Sequence, residues 1–205
     1  MKTVGGHTFD ETLLTDGVII DVGCRDFSFS NYFEGKPVYC VDLDAKVFDG
    51  VKNNFTHINY AISDKAGDSE YYENGEATCL KQLHHYQDHR IKPCKTITME
   101  DLYKITGENV DILKLDCEGA EYAILGETFR PVPKQITVEF HHHCVPELHK
   151  DKYQSIVERL IKDYAMHNAV WEQRHGCGFN FWDTLFIRKD IDPNHKFEYS
   201  EPTNY

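Results

Sequence analysis

The chain has 205 residues, 40% hydrophobic and 27% charged, with 13 Gly and 7 Pro. At roughly 150 residues per domain this describes a single domain over 1–205 with a full core, and it excludes the disordered, collagenous and low-complexity classes. Acids outnumber bases 34 to 22, a net charge of −12, so the mean field repels a phosphate backbone and nucleic acid is not an expected partner. No apolar run approaches the roughly 20 residues of a membrane-spanning helix, and the opening MKTVGGHTFDETLL lacks the apolar core of a secretion signal. The expected setting is the cytoplasm, away from membranes. Seven cysteines are scattered singly without a C-x-x-C pair, which suits reduced, mostly buried thiols better than a disulfide framework or a zinc knuckle.

Short β-branched runs recur along the chain: VIIDV at 18–22, VYCVDL at 38–43, INYAI at 58–62, DILKLD at 111–116 and QITVEF at 135–140. Most are apolar on both faces, as in a parallel sheet covered on both sides by helices. A polar insertion over about 65–95 carries Tyr71, Tyr72, His84, His85, Tyr86 and His89, too long for an ordinary connection and therefore a lid or a surface decoration. Residues 151–166 place Tyr153, Ile156, Val157, Leu160, Ile161 and Tyr164 on one stripe of an amphipathic helix. AVWEQRH, a Gly-Cys-Gly turn and FNFWDTLFIRK then predict a closing antiparallel hairpin. The tail from Asp190 is polar, holds two prolines and is expected to be loosely held.

Ligands of parallel α/β sheets bind outside the carboxyl ends of the strands, where the strand order reverses. The first run ends Asp21-Val22-Gly23, with a glycine that lets backbone approach a ligand, and the second ends Asp42-Leu43-Asp44, about 20 residues on, where an acid grips ribose hydroxyls. Cys24-Arg25-Asp26-Phe27 supplies no further glycine. A pyrophosphate at the next helix start would be crowded, which argues against an NAD-dependent oxidoreductase and favours S-adenosylmethionine (SAM).

DILKLDCEGAEYAIL at 111–125 resembles the hallmark of the FkbM family of SAM-dependent methyltransferases, a strand D-x-L-K-x-D followed by x-E-G-x-E and a helix. VIIDVG, VDLD, YAISDKAGDSEYY, ITMEDL, ITVEFH and WDTLFIRK follow in family order. Two departures stand out: the first motif continues Cys24-Arg25-Asp26-Phe27-Ser28 without its second glycine, and 23–37 is short for a helix plus a loop. The resemblance implies a Rossmann-like class I methyltransferase with a seven-stranded sheet, six strands parallel and the last antiparallel, and helices on both faces. It implies cofactor contacts at Asp21, Gly23, Cys24, Asp42, Leu43, Ser63, Asp64 and Asp116, with Asp116 facing the sulfonium end of SAM.

In the same frame, Lys114 lies on the same strand face as Asp116 and is its expected ion-pair partner, while Glu118 and Glu121 fall in the first helical turn, where acids favour the dipole. Glu139, His141 and His143 share a strand face. The expected catalytic group is therefore His141, Asp116, Glu118 and Glu139, with His141 as general base near neutral pH and His142 pointing away. Asp116, Glu139 and His141 also form a donor set suited to Mg or Mn. The expected activity is O-methyl transfer to a hydroxyl of a sugar, glycan or similar small polar molecule. The alternative is a catalytically silent SAM- or nucleoside-binding module, motivated by the missing glycine.

Overall fold

The computed structural model describes residues 1–25, 27–43, 54–73, 78–80, 90–141, 150–174 and 179–192. His84, His85, Tyr86, His89, His142, His143 and the tail beyond 192 lie outside the described residues.

The chain opens with a hairpin, β1 (Lys2–Val4) and β2 (His7–Phe9), turning on Gly5-Gly6. Both glycines have positive φ, +53° and +83°, as a two-residue turn that matches strand twist requires. Next come β3 (Val18–Val22), a 3-10 turn at Ser30–Tyr32 and β4 (Val38–Val41). They are followed by β5 (Phe55–Ile58), β6 (Ala61–Ile62), β7 (Gly67–Glu73) and β8 (Arg90–Ile97). Helix α1 (Met99–Thr106) leads to β9 (Val110–Leu115), then a single turn α2 (Glu121–Ile124) and β10 (Gln135–His141). Helix α3 (Lys150–Leu160) precedes the closing hairpin β11 (Tyr164–Arg174) and β12 (Phe179–Arg188).

The large sheet has seven strands in the order β11-β12-β10-β9-β3-β4-β5. Strands β10, β9, β3, β4 and β5 are parallel, and β12 runs antiparallel to both of its neighbours, β10 and β11. β11 therefore points the same way as the parallel strands, and the last strand of the chain is the reversed one. Strand order grows outward from β3 through β4 to β5 and then returns to β9 on the other side of β3. The gap between the carboxyl ends of β3 and β9 is thus the switch point where such sheets bind ligands.

Helices do not cover both faces among the described residues. Ile20, Val22, Leu113, Leu115, Ile136 and Val138 share one buried cluster with Met99, Leu102 and Tyr103 of α1, Tyr122 and Ile124 of α2, and Ile156, Val157 and Leu160 of α3. Ile19, Val38, Cys40 and Ile112 point the other way and pack on Phe9, Phe29 and Phe33. The short segment between β3 and β4 makes a 3-10 turn in place of the expected helix, and its rings fill the space: Phe9, Phe29 and Phe33 lie 5.1 to 5.9 Å apart, centroid to centroid.

Three further expectations change. The run at 58–62 is two strands, because the chain turns at Asn59-Tyr60, leaving β5 on the large sheet and β6 in a separate three-stranded sheet of order β6-β8-β7. The insertion is correspondingly not a loop over 67–73 and 90–97: β7 and β8 pair antiparallel in register from Gly67↔Thr96 to Glu73↔Arg90. The helix expected at 151–166 stops at Leu160, and Tyr164, the last member of its apolar stripe, begins β11 and donates its hydroxyl to the Pro133 carbonyl at 2.9 Å. Among the described residues no helix is long and apolar enough to cross a membrane.

Candidate functional site

Parallel pairing of β3, β4, β9 and β10 brings Val22, Val41, Leu115 and the His141 end of β10 to one edge. Asp116, the first residue after β9, stands at the switch point with its carboxylate 31% exposed. Lys114, two residues earlier and buried, places Nζ 3.4 Å from Asp116 Oδ2 and 3.1 Å from Asp21 Oδ1, and donates to the Gly23 carbonyl at 2.7 Å. The expected Lys114–Asp116 pair therefore exists, and Asp21 joins it from β3. Burial of Lys114 opposes its charge, but Asp21 and Asp116 outweigh it and keep the ammonium protonated well above the usual range.

His141 is buried at the end of β10. Its Nδ1 lies 2.9 Å from Glu121 Oε1, and its Nε2 lies 3.5 Å from Asp116 Oδ1 and 3.8 Å from both Glu118 Oε2 and Glu139 Oε1. Burial alone would lower the imidazole pKa; the charge and hydrogen bond of Glu121, then Glu118 and Asp116, overcome it and hold the value well above normal. The ring of acids therefore favours the imidazolium form of His141. Asp116 is the mirror case: burial would raise its pKa, but Lys114, His7 and His141 pull it far below the carboxylate range. Glu121 is fully buried and accepts from the Cys117 and Gly119 amides at 2.8 and 2.9 Å, so it caps the turn and carries the charge facing His141 at once.

His7 was not among the expected site residues. The N-terminal hairpin lays it, 2% exposed, against the same carboxylate: Nε2 is 3.5 Å from Asp116 Oδ2, and Nδ1 is 3.4 Å from Thr137 Oγ1 of β10. One donor atom each from His7, Asp116 and Glu139 all lie within 4.8 Å of one another. Its only signal in the sequence is a histidine beside a Gly-Gly turn, which does not reveal that the hairpin docks on β10 some 130 residues away in the chain.

The remaining expected cofactor residues divide. Gly23 adopts φ +76°, and a Cβ there would lie 1.8 Å from the Asp116 carbonyl, so the glycine is required by the close passage of the β3 and β9 exits whatever binds above them. Asp21 is turned inward, its carboxylate paired with Lys114 and accepting from Ser30 Oγ at 2.5 Å; it is out of reach of a ligand and acts on the edge through Lys114. The Cys24 thiol is also turned into the core, with Cys40 and burial pushing its pKa up. Asp42 and Leu43 follow β4 half-buried at the ligand edge, and the Asp42 carbonyl accepts from His57 Nε2 at 3.2 Å. Ser63 and Asp64 follow β6, not a strand of the large sheet, and the Ser63 hydroxyl donates to Asp64 at 3.1 Å. Among the described residues only Phe27 (φ +56°) and Glu118 (φ +49°) are non-glycines with positive φ. Both lie in loops leaving this edge, where backbone strain often accompanies function.

The chain is a mixed α/β protein whose seven-stranded sheet brings a charged cluster to its switch point, the place where sheets of this order bind ligands. The fold is similar to a chain in the crystal structure of a fibrillarin/Nop5p complex, with a TM-score of 0.50 and 12% identity over 84% of this chain and 73% of that one. Residues 21–181 match the methyltransferase FkbM domain. That stretch is most of the chain, and the protein belongs to this family; methyl transfer is its class of activity, and SAM is the methyl donor the family implies. No curated protein sequence gives a significant match.

Proposed function

We propose that the protein is a SAM-dependent O-methyltransferase acting on a hydroxyl of a sugar or a similar small polar molecule. The observation that carries this reading is the partly exposed Asp116 carboxylate, held ionised at the switch point of a methyltransferase-family sheet, with Glu118 and Glu139 around it. The residues suit SAM: Asp42 at the β4 end for the ribose hydroxyls, Leu43 beside it for the adenine, and the acidic edge at Asp116 for the cationic methionine end. The thinner case is Ser63 and Asp64, which would reach the adenine amine only from the neighbouring small sheet.

SAM supplies an electrophilic methyl group on a positively charged sulfur. The chain's own part is alignment, exclusion of water and removal of one proton. An acceptor oxygen forms the new C–O bond as the C–S bond breaks, with that electron pair passing to sulfur, and the hydroxyl proton must leave. His141, expected to take it, is surrounded by acids that favour its protonated form. In this reading His141 donates from Nε2 and holds Asp116, Glu118 and Glu139 in register, while Glu118, whose carboxylate is 24% exposed, accepts the proton as positive charge grows on the acceptor oxygen. A net charge of −12 supports a small acceptor over a nucleic acid. Cysteines scattered singly without a C-x-x-C pair support a reducing, cytoplasmic setting.

Calorimetry with SAM and S-adenosylhomocysteine, followed by methyl release onto a panel of glycosides, tests the proposal. Binding of both with product on at least one glycoside is expected. Binding without product on any acceptor is the result of the alternative, a silent SAM-binding module, which the missing second glycine of the first motif favours.

A further inference from the structure

We propose that the N-terminal hairpin completes a divalent-cation site at the ligand edge, with His7 Nε2, an Asp116 oxygen and a Glu139 oxygen as the protein ligands. The three donor atoms lie within 4.8 Å of one another. A cation with bonds of about 2.1 to 2.4 Å separates neighbouring and opposite ligands by roughly 3 to 4.8 Å, so small adjustments close the set. One imidazole and two carboxylates are borderline-hard donors of the kind Mn2+ accepts.

The histidine is what distinguishes this group from a patch of acids. The His7 ring is 2% exposed and packs edge-on against Phe29 at 5.8 Å, so its direction is fixed. His7 Nδ1 lies 3.4 Å from Thr137 Oγ1 and Nε2 lies 3.5 Å from Asp116 Oδ2; a cation taken up at Nε2 would displace its proton and leave Nδ1–H to donate to Thr137, the outer hydrogen bond that orients metal-binding histidines. Gln135 anchors the hairpin that carries it: Asp10 N donates to Gln135 Oε1 at 2.7 Å, and Gln135 Nε2 donates to the Asp10 carbonyl at 3.0 Å. His141 is the histidine expected from the sequence in this role, but its Nδ1 is engaged by Glu121 from below and its Nε2 stands among three acids as their counter-charge.

His7 lies outside the residues 21–181 that match the family domain, whereas Asp116 and Glu139 lie inside it. Three protein ligands would leave coordination positions for oxygens of a bound molecule. Resting on the methyl-transfer reading above, these positions would take two adjacent hydroxyl oxygens of the acceptor, which makes a vicinal diol the favoured acceptor group.

The test uses the full chain freed of metal by a chelator, with Mn2+ as the probe. Calorimetry measures binding, and pulsed electron paramagnetic resonance detects imidazole nitrogen on the bound ion. The proposal expects one Mn2+ per chain with a nitrogen signal, loss of that signal in His7→Ala and His7→Gln, and affinity lowered about 100-fold in both. Thr137→Val should weaken binding by about tenfold or more, the usual size of a lost outer hydrogen bond. An unchanged circular dichroism spectrum and urea midpoint in His7→Gln show that the variant is folded. Absence of Mn2+ binding at millimolar concentration, or a nitrogen signal that persists without His7, overturns the proposal. Either failure leaves SAM binding and methyl release as separate measurements, so the methyl-transfer reading stands or falls on its own.

Discussion

Asp116 is met by Lys114 of β9, by His7 of the N-terminal hairpin and by His141 at the end of β10. Such a carboxylate is a poor proton acceptor and a good electrostatic anchor, which separates its task from that of the more exposed Glu118. Glu118→Gln, which keeps shape and removes the charge, is expected to lower turnover by about 10² to 10⁴ with SAM affinity nearly unchanged, the size of a lost general base; single-turnover kinetics beside calorimetry checks it, and equal loss in both places Glu118 in the cofactor contacts instead. Asp42→Ala removes charge-assisted hydrogen bonds to the ribose and should weaken SAM binding by about 1.5 to 3 kcal/mol. An unchanged dissociation constant there would remove Asp42 from the site.

Helix α1 shows how a local signal holds an element in place beside the site-bearing strand β9. Thr98 Oγ1 accepts from the Asp101 amide at 3.2 Å while an Asp101 carboxylate oxygen accepts from the Thr98 amide at 3.3 Å, a reciprocal capping box. Lys104 and Thr98 hold Asp101 down to about 2, so the cap stays charged through the whole working range. Thr98→Ala is expected to cost about 1 kcal/mol of stability in urea melts, with SAM binding intact because α1 packs on the face away from the hairpin. Thr98→Ser should recover most of the loss; failure to do so would assign the effect to packing of the methyl group.

At the opposite edge of the sheet from the site, one buried carboxylate ties the whole molecule together. Asp111 accepts from the Thr15 amide and hydroxyl at 2.8 Å each, and pairs with Lys134 at 2.8 Å and Lys36 at 3.2 Å. It so joins the segments that lead into β3, β4 and β10 at the start of β9. Burial would raise its pKa, but Lys134, Thr15 and Lys36 outweigh burial and keep it below the usual carboxylate range. A folded pKa below the unfolded value of about 3.9 means the contribution is complete above that pH and is lost as pH falls through the folded pKa. Asp111→Asn should therefore cost about 3 kcal/mol at pH 7, and urea melts between pH 7 and pH 3 should find the gap between wild type and variant shrinking below about pH 4. A gap that is constant with pH would mean that shape, not charge, holds the junction.

The sequence by itself determined what neighbours in the chain can encode. Apolar β-branched runs marked β3, β4, β9 and β10, the runs AVWEQRH and FNFWDTLFIRK marked the closing hairpin strands, and DILKLDCEGAEYAIL marked both the family and Asp116 at a strand end. Strand periodicity also placed Glu139 and His141 on one face, because alternation is a property of the backbone alone. The tertiary structure decided what depends on distant segments meeting. The stripe of apolar residues through Tyr164 was helical in pattern, yet the edge position beside β12 drew Tyr164 into β11. Asp21 read as a ligand contact and became the buried partner of Lys114, since only the β3–β9 pairing sets their side chains together. The charge on His141 depends on acids from β9, α2 and β10 converging around a buried ring, and the arrival of His7 depends on a hairpin docking across β10. Local patterns fix the strands and their faces; charge state and ligand sets arise where separate strands end together, and no window of sequence spans that edge.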